Sequence, residues 1–243
     1  MSRPLARDQV VWQAASILLG YPDAEVTDRT ELVRSALIDA APNALPQFAP
    51  LLDFLADTPS QTAQNHYVET FDLSRRHTLY LSYYTDGDTR RRGETLAAIK
   101  QRYRRSSFLV DTHGELPDYL PLMLEYAARV DPDDGAALLQ EFRRSLELLR
   151  LALVDRGTPY AGIVTAVCAT LPGASPRDRQ AVMAMAAAGP PTETVGLEPD
   201  DPRLLPLSPT GLGSTSLGST GQSSTGLGST NPSQRDLRRV GVR

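Results

Sequence analysis

One cysteine in 243 residues, Cys168, rules out an intramolecular disulfide and any thiolate zinc site built from this chain alone. A reducing compartment suits that usage. Long apolar runs are missing too: no stretch approaches the about 18 consecutive apolar residues of a membrane-spanning helix. The apolar stretch Val10–Leu19 is interrupted by Gln13 and Ser16, and no small-residue cleavage site follows it. The expectation is a soluble, cytoplasmic protein without stable membrane insertion. Excess positive charge is also lacking, since 25 Lys and Arg stand against 29 Asp and Glu for a net charge of -4. That is the wrong sign for a nucleic-acid coat, so no nucleic-acid partner is expected.

Catalytic signatures are absent as well. The chain has no Walker loop, no glycine-rich dinucleotide fingerprint after a strand and no Gly-x-Ser-x-Gly elbow. His113-Gly-Glu115 matches half of a zinc deaminase signature, but that chemistry needs a Pro-Cys-x-x-Cys downstream. Asp86-Gly-Asp88 starts like a calcium loop, yet Arg91 stands where its glycine belongs and Ala97 where its glutamate belongs. His66, His77 and His113 lack paired metal-ligand spacing and read as cap or surface residues. A metal-dependent enzyme using Asp111, His113 and Glu115, or the Asp86/Asp88 loop, stays open only as an alternative. Arg90, Arg91, Arg92, Arg102, Arg104 and Arg105 could line a phosphate-binding helix, but they point about 100° apart in succession and read as a solvated face. Cys168, on an apolar face with Val164, reads as a buried inert thiol.

What is present is helix after helix. Val10, Val11, Ala14, Ile17 and Leu18 share one face before Gly20-Tyr21-Pro22 stops the run. Asp28 and Glu31 have capping-box spacing ahead of Leu32, Val33, Ala36, Leu37 and Ala40. Asn43 is placed to cap a helix burying Leu45, Phe48, Leu51, Leu52 and Leu55, and Thr58-Pro59 to open another. Thr58 to Tyr84 reads as helical with a break near 72–76, although Leu79–Tyr84 also suits a strand. Thr85–Asp88 is turn chemistry, and a helix from Thr89 to about Arg105 turns Leu96, Ile99 and Tyr103 inward. Pro117 is placed at the first helical position, with Glu115 and Asp118 near the positive end of a helix running to about Val130. Asp134–Asp155 reads as one long helix, then Tyr160–Leu171, then a last one after Ser175-Pro176.

The fold class is therefore all-α: a single globular multi-helix domain over 1–189. Past it the composition turns Pro-rich and then Gly/Ser/Thr-rich, with near-copies of Leu-Gly-Ser-Thr at Leu212, Leu217 and Leu227. Residues 190–243 are expected to be a disordered tail, because such a segment buries too little apolar area to offset its ordering entropy.

One stretch, Tyr67–Ala128, carries most of the distinctive residues. It holds Tyr67-Val-Glu-Thr-Phe-Asp72, His77-Thr-Leu-Tyr-Leu81, Gly87-Asp-Thr-Arg90 with Arg92-Gly93, and Glu115-Leu-Pro-Asp-Tyr-Leu-Pro-Leu-Met-Leu-Glu125. Taken singly, Glu115, Pro117 and Asp118 also suit an ordinary helix start, and Tyr67 and Phe71 an ordinary core. Together the stretch resembles the NarJ-type nitrate reductase molybdenum cofactor assembly chaperones, the delta subunits, within the redox enzyme maturation proteins. Relatives that serve other molybdoenzymes typically carry histidine where Tyr119 stands, so the resemblance is to the nitrate reductase branch.

The resemblance implies a TorD-like helical chaperone fold, no catalysis and no intrinsic cofactor. It implies a client, the N-terminal segment of the catalytic alpha subunit in the immature alpha-beta complex, held until molybdopterin guanine dinucleotide is inserted and the complex docks on its membrane subunit. A monomer or weak dimer is expected. The candidate client-peptide residues are Tyr67, Glu69, Phe71, Asp72, Glu115, Pro117, Asp118 and Tyr119, with Glu69, Asp72, Glu115 and Asp118 as a negative rim. A helical scaffold for another partner fits the composition equally.

Overall fold

A computed structural model describes residues 6–106 and 114–187, and among them every regular element is helical. The tail expected from 190 onward, and Asp111 and His113, lie outside the described residues. In chain order the helices are α1 (Ala6–Leu18), α2 (Ala24–Asp28), α3 (Thr30–Ala40), α4 (Leu45–Asp57), α5 (Ser60–Tyr67) and α6 (Tyr83–Asp86). There follow α7 (Arg90–Arg105), α8 (Leu120–Glu125), α9 (Pro132–Glu141), α10 (Arg143–Arg156), α11 (Tyr160–Thr170) and α12 (Arg179–Ala187). Two of them widen at their ends into single π-helical turns, α5 into Val68–Asp72 and α8 into Tyr126–Val130. No helix among these residues is long and apolar enough to cross a membrane.

The core forms around α1, which packs on α3, α8, α11 and the 126–130 turn. Its Trp12, Ala15 and Leu18 are buried, and the Trp12 indole N–H donates to Thr170 Oγ1 at 2.8 Å, so the largest core side chain leaves no polar atom unsatisfied. Alternate faces of α4, α10 and α11 supply Phe48, Leu51, Leu52, Leu146, Leu149, Ile163 and Val167. Helix α11 lies so close to α4 that a Cβ on Gly162 would sit 1.9 Å from the Gln47 carbonyl oxygen.

Several expected boundaries move for local reasons. The cap falls at Asp23, whose Oδ1 accepts from the Val26 amide at 3.0 Å, and Asp28 instead ends α2, so the expected capping box does not form. Asn43 and Thr58 do not cap α4 and α5. Residues 134–155 are two helices broken at Phe142. Phe142 still donates to Leu138 O and accepts from Leu146 N, so the one-residue break leaves the apolar phase intact and is invisible to periodicity.

That break brings Arg143 inside. Its guanidinium meets the fully buried Glu147 at 2.8 Å, Arg150 approaches the same carboxylate at 2.6 Å, and both arginines donate to carbonyls of the 172–176 segment. The pair is satisfied on every side, as a buried charge must be.

Candidate functional site

The distinctive stretch folds back on itself. Tyr80 leaves the helical path and pairs with Tyr119 in an isolated antiparallel bridge, after which Leu81 and Ser82 turn into α6. Leu81 N donates to Asp118 O at 3.1 Å and Leu120 N to Leu79 O at 2.8 Å. The β-compatible pattern of Leu79–Tyr84 thus wins over the helical reading only around Tyr80, where the partner segment satisfies the backbone. Helix α8 consequently starts at Leu120 with Pro121 in its first turn, three residues later than Pro117 would place it.

This geometry reassigns Asp118. Its carboxylate is fully buried and accepts from the Ser82 amide at 3.1 Å and the Ser82 hydroxyl at 2.6 Å. Arg92 completes the group, donating from Nε to Ser82 Oγ at 3.1 Å and standing 3.7 Å from Asp118. Asp118 therefore contributes no solvent-facing charge to a rim; it locks two halves of the stretch together. Ser82 and the inward position of Arg92 were not anticipated, and no spacing rule marks a serine 36 residues away as a carboxylate's partner. On the other flank the Tyr103 hydroxyl donates to the Pro117 carbonyl at 2.8 Å.

Tyr119 is half-buried at the centre. Its ring packs on Tyr80 with centroids 5.4 Å apart, and its hydroxyl is 3.4 Å from that of Tyr67, which donates to Leu19 O at 3.1 Å. Burial pushes the Tyr119 phenol up; the hydrogen bond with Tyr67 opposes this and the charges of Glu115 and Asp72 add to it. Tyr67 and Phe71 are buried in an aromatic cluster with Tyr160, so they form the floor beneath the site.

Glu69, Asp72 and Glu115 are exposed, as a rim requires. Asp72 and Glu115 both act on Tyr119, whereas the field of Glu69 is felt at His66. Glu115 accepts the Tyr80 hydroxyl at 2.5 Å, and burial together with that bond pushes the Tyr80 phenol up.

Two clefts open beside the bridge. One, of about 450 Å³, is lined by Ile17, Tyr21, Glu115, Tyr119, Leu122 and Glu125 among others. The other, of about 360 Å³, is lined by Phe71, Asp72, Arg75, Tyr80, Tyr83 and Arg92 among others. Each lining joins apolar walls to charges of both signs, Arg29 and Arg129 in the first and Arg75 and Arg92 in the second; the apolar walls can hold an amphipathic segment and the carboxylates can orient its basic residues.

His66 and His77 do not line these clefts. His66 hydrogen-bonds Thr158 Oγ1 at 2.9 Å and His77 the Ala152 carbonyl at 3.2 Å, and among the described residues no group of His, Cys, Asp and Glu is arranged to hold a metal. Cys168 is buried, and burial pushes its thiol up to about 12.

Comparison with known proteins gives this arrangement a family. The profile described as nitrate reductase delta subunit matches residues 38–166, more than half the chain and all of the bridge. The chain belongs to the nitrate reductase delta subunit family. Within it, the chain is 35% identical to the probable nitrate reductase molybdenum cofactor assembly chaperone NarJ of Bacillus subtilis over 167 residues, 67% of this chain and 89% of that protein. It is 44% identical over 168 residues to the nitrate reductase-like protein NarX of Mycobacterium tuberculosis, covering 66% of this chain but spanning only 24% of that protein. A redox enzyme maturation protein from Archaeoglobus fulgidus superposes with a TM-score of 0.51 at 16% identity, covering 70% of this chain and 95% of that one, a likeness of fold. The NarJ-type family expected from the sequence is thus the family found, and its all-helical fold is shared.

Proposed function

We propose that this chain is a non-enzymatic cytoplasmic chaperone for assembly of respiratory nitrate reductase. It binds the N-terminal segment of the immature catalytic alpha subunit in the alpha-beta complex and promotes insertion of molybdopterin guanine dinucleotide before that complex docks at the membrane. It carries no cofactor of its own and acts as a monomer or weak dimer, its helical domain spanning 1–189. The observation that carries this reading is the 35% identity to a NarJ chaperone along 89% of that protein's length.

The client lies across the clefts beside the Tyr80–Tyr119 bridge. Asp72 and Glu115 attract its basic residues, Glu69 extends the negative edge, Tyr119 and Pro117 supply contact surface, and Tyr67 and Phe71 support it from below. Asp118 serves by holding the bridge. Titrating a synthetic alpha-subunit N-terminal peptide into the wild type and into an Asp72→Asn/Glu115→Gln variant tests the reading. Binding weakened in the variant and by salt is expected; equal affinity under all conditions contradicts the rim, and absence of wild-type binding contradicts the client assignment.

A further inference from the structure

Helix α7 is unlike the rest of the molecule. It carries seven cations, Arg90, Arg91, Arg92, Lys100, Arg102, Arg104 and Arg105, against one carboxylate, Glu94, in a chain of net charge -4. Only Ile99 and Tyr103 are buried among its sixteen residues. Three cations are used internally: Arg91 with Asp86, Arg92 with Asp88 and Asp118, and Arg102 with Asp134 and Glu141. Arg90, Lys100, Arg104 and Arg105 are exposed and have no ion-pair partner among the described residues.

Their placement is coherent. At 100° per residue these four fall within an arc of about 140° directed away from Ile99 and Tyr103. Gly93, Ala97, Ala98 and Gln101 fill most of the space between them, and Glu94 is the one opposing charge. Lys100 and Arg104, at i and i+4, repel each other across one helical turn, a cost that an anion laid along the helix removes.

We propose that the outer face of α7 docks on an anionic phospholipid surface. Two features select a lipid headgroup layer over an acidic protein. Apart from one edge, where Ala98, Gln101 and Arg105 border a small cleft with Leu138 and Phe142, the exposed face of α7 holds no aromatic or large aliphatic residue, so its centre lacks the desolvated anchor on which protein interfaces depend. A charged lipid surface needs no such anchor, because each basic residue near it gains attraction from the surface potential without burial. Dispersed cations over small side chains match a diffuse sheet of phosphates and carboxylates better than a shaped pocket. The contact is peripheral and reversible, and it holds the protein beside a membrane without inserting.

Co-sedimentation of the full chain with vesicles tests this. Phosphatidylcholine–phosphatidylserine vesicles at about 50 mM salt are expected to retain the protein, phosphatidylcholine vesicles are not, and about 300 mM salt releases it. Neutralising Lys100→Gln, Arg104→Gln and Arg105→Gln together lowers the partition coefficient about fivefold per charge, on the order of a hundredfold in all. These positions are exposed, so an unchanged urea midpoint shows that the variant is folded, and unchanged alpha-peptide binding separates this surface from the client site. No retention on anionic vesicles at low salt, or undiminished retention of the triple variant, overturns the proposal. So does retention only by an acidic protein partner.

Discussion

Replacing Asp118 by alanine is the sharpest test of how the site is built. The side chain is fully buried and accepts two hydrogen bonds from Ser82, at 3.1 and 2.6 Å, with Arg92 at 3.7 Å. Hydrogen bonds to a charged acceptor contribute about 1.5–3 kcal/mol each, and truncation leaves a buried amide and hydroxyl without their acceptor. Arg92 retains Asp88 and some solvent, so its share is below about 1 kcal/mol. The expected loss for Asp118→Ala is about 3–5 kcal/mol, which at an m-value of about 2 kcal/mol/M lowers the urea midpoint by about 2 M. Asp118→Asn keeps one acceptor but places an amide N–H where Oδ1 already lacks a partner, giving about 2–3 kcal/mol. Glu115→Gln, at an exposed position, changes stability by under about 0.5 kcal/mol. Hydrogen exchange at the Leu81 and Leu120 amides, which make the bridge, accelerates in Asp118→Ala. A stability within about 0.5 kcal/mol of wild type, with those amides still protected, would refute the locking role.

Two further outcomes are expected. Gly162→Ala drives a Cβ to 1.9 Å from the Gln47 carbonyl oxygen and destabilises by about 1–3 kcal/mol, whereas Gly93→Ala, in open space within α7, stabilises by about 0.5–1 kcal/mol; chemical denaturation of both reads the contrast, and equal effects contradict the close α4–α11 contact. Burial holds the His66 and His77 imidazoles below their ordinary 6.5, so the unfolded chain takes up these protons first. Stability present above about pH 6.5 is then lost as pH falls through the lowered folded values, and a His66→Gln/His77→Gln variant shows a flatter urea-midpoint profile between pH 7.5 and 5.5; an unchanged slope contradicts this.

The helical fold was legible because period and punctuation carry it. Phe48, Leu51, Leu52 and Leu55 were assigned to a buried helical face and are all buried, and Gly87, read as a turn residue, has φ 57°. Cap positions were less legible, since Asp23 and Asp28 are both plausible caps and only the chain path chooses between them. The site was legible as a stretch but not as an arrangement. Asp118 reads as a dipole-stabilising residue until the 79–82 segment is brought beside it, and that pairing depends on contacts 36 residues apart. Glu147 stands in an apolar face flanked by Arg143 at i−4 and Arg150 at i+3, a spacing that in retrospect marks a buried ionic group.

The central claim is a role in assembly, and its most direct measurement is the molybdenum content of the nitrate reductase alpha subunit purified from cells with and without this chain. The account predicts alpha subunit that is made but largely devoid of molybdenum in its absence, with the metal restored when the chain is supplied again. Full molybdenum occupancy and full nitrate reduction without it would contradict the account.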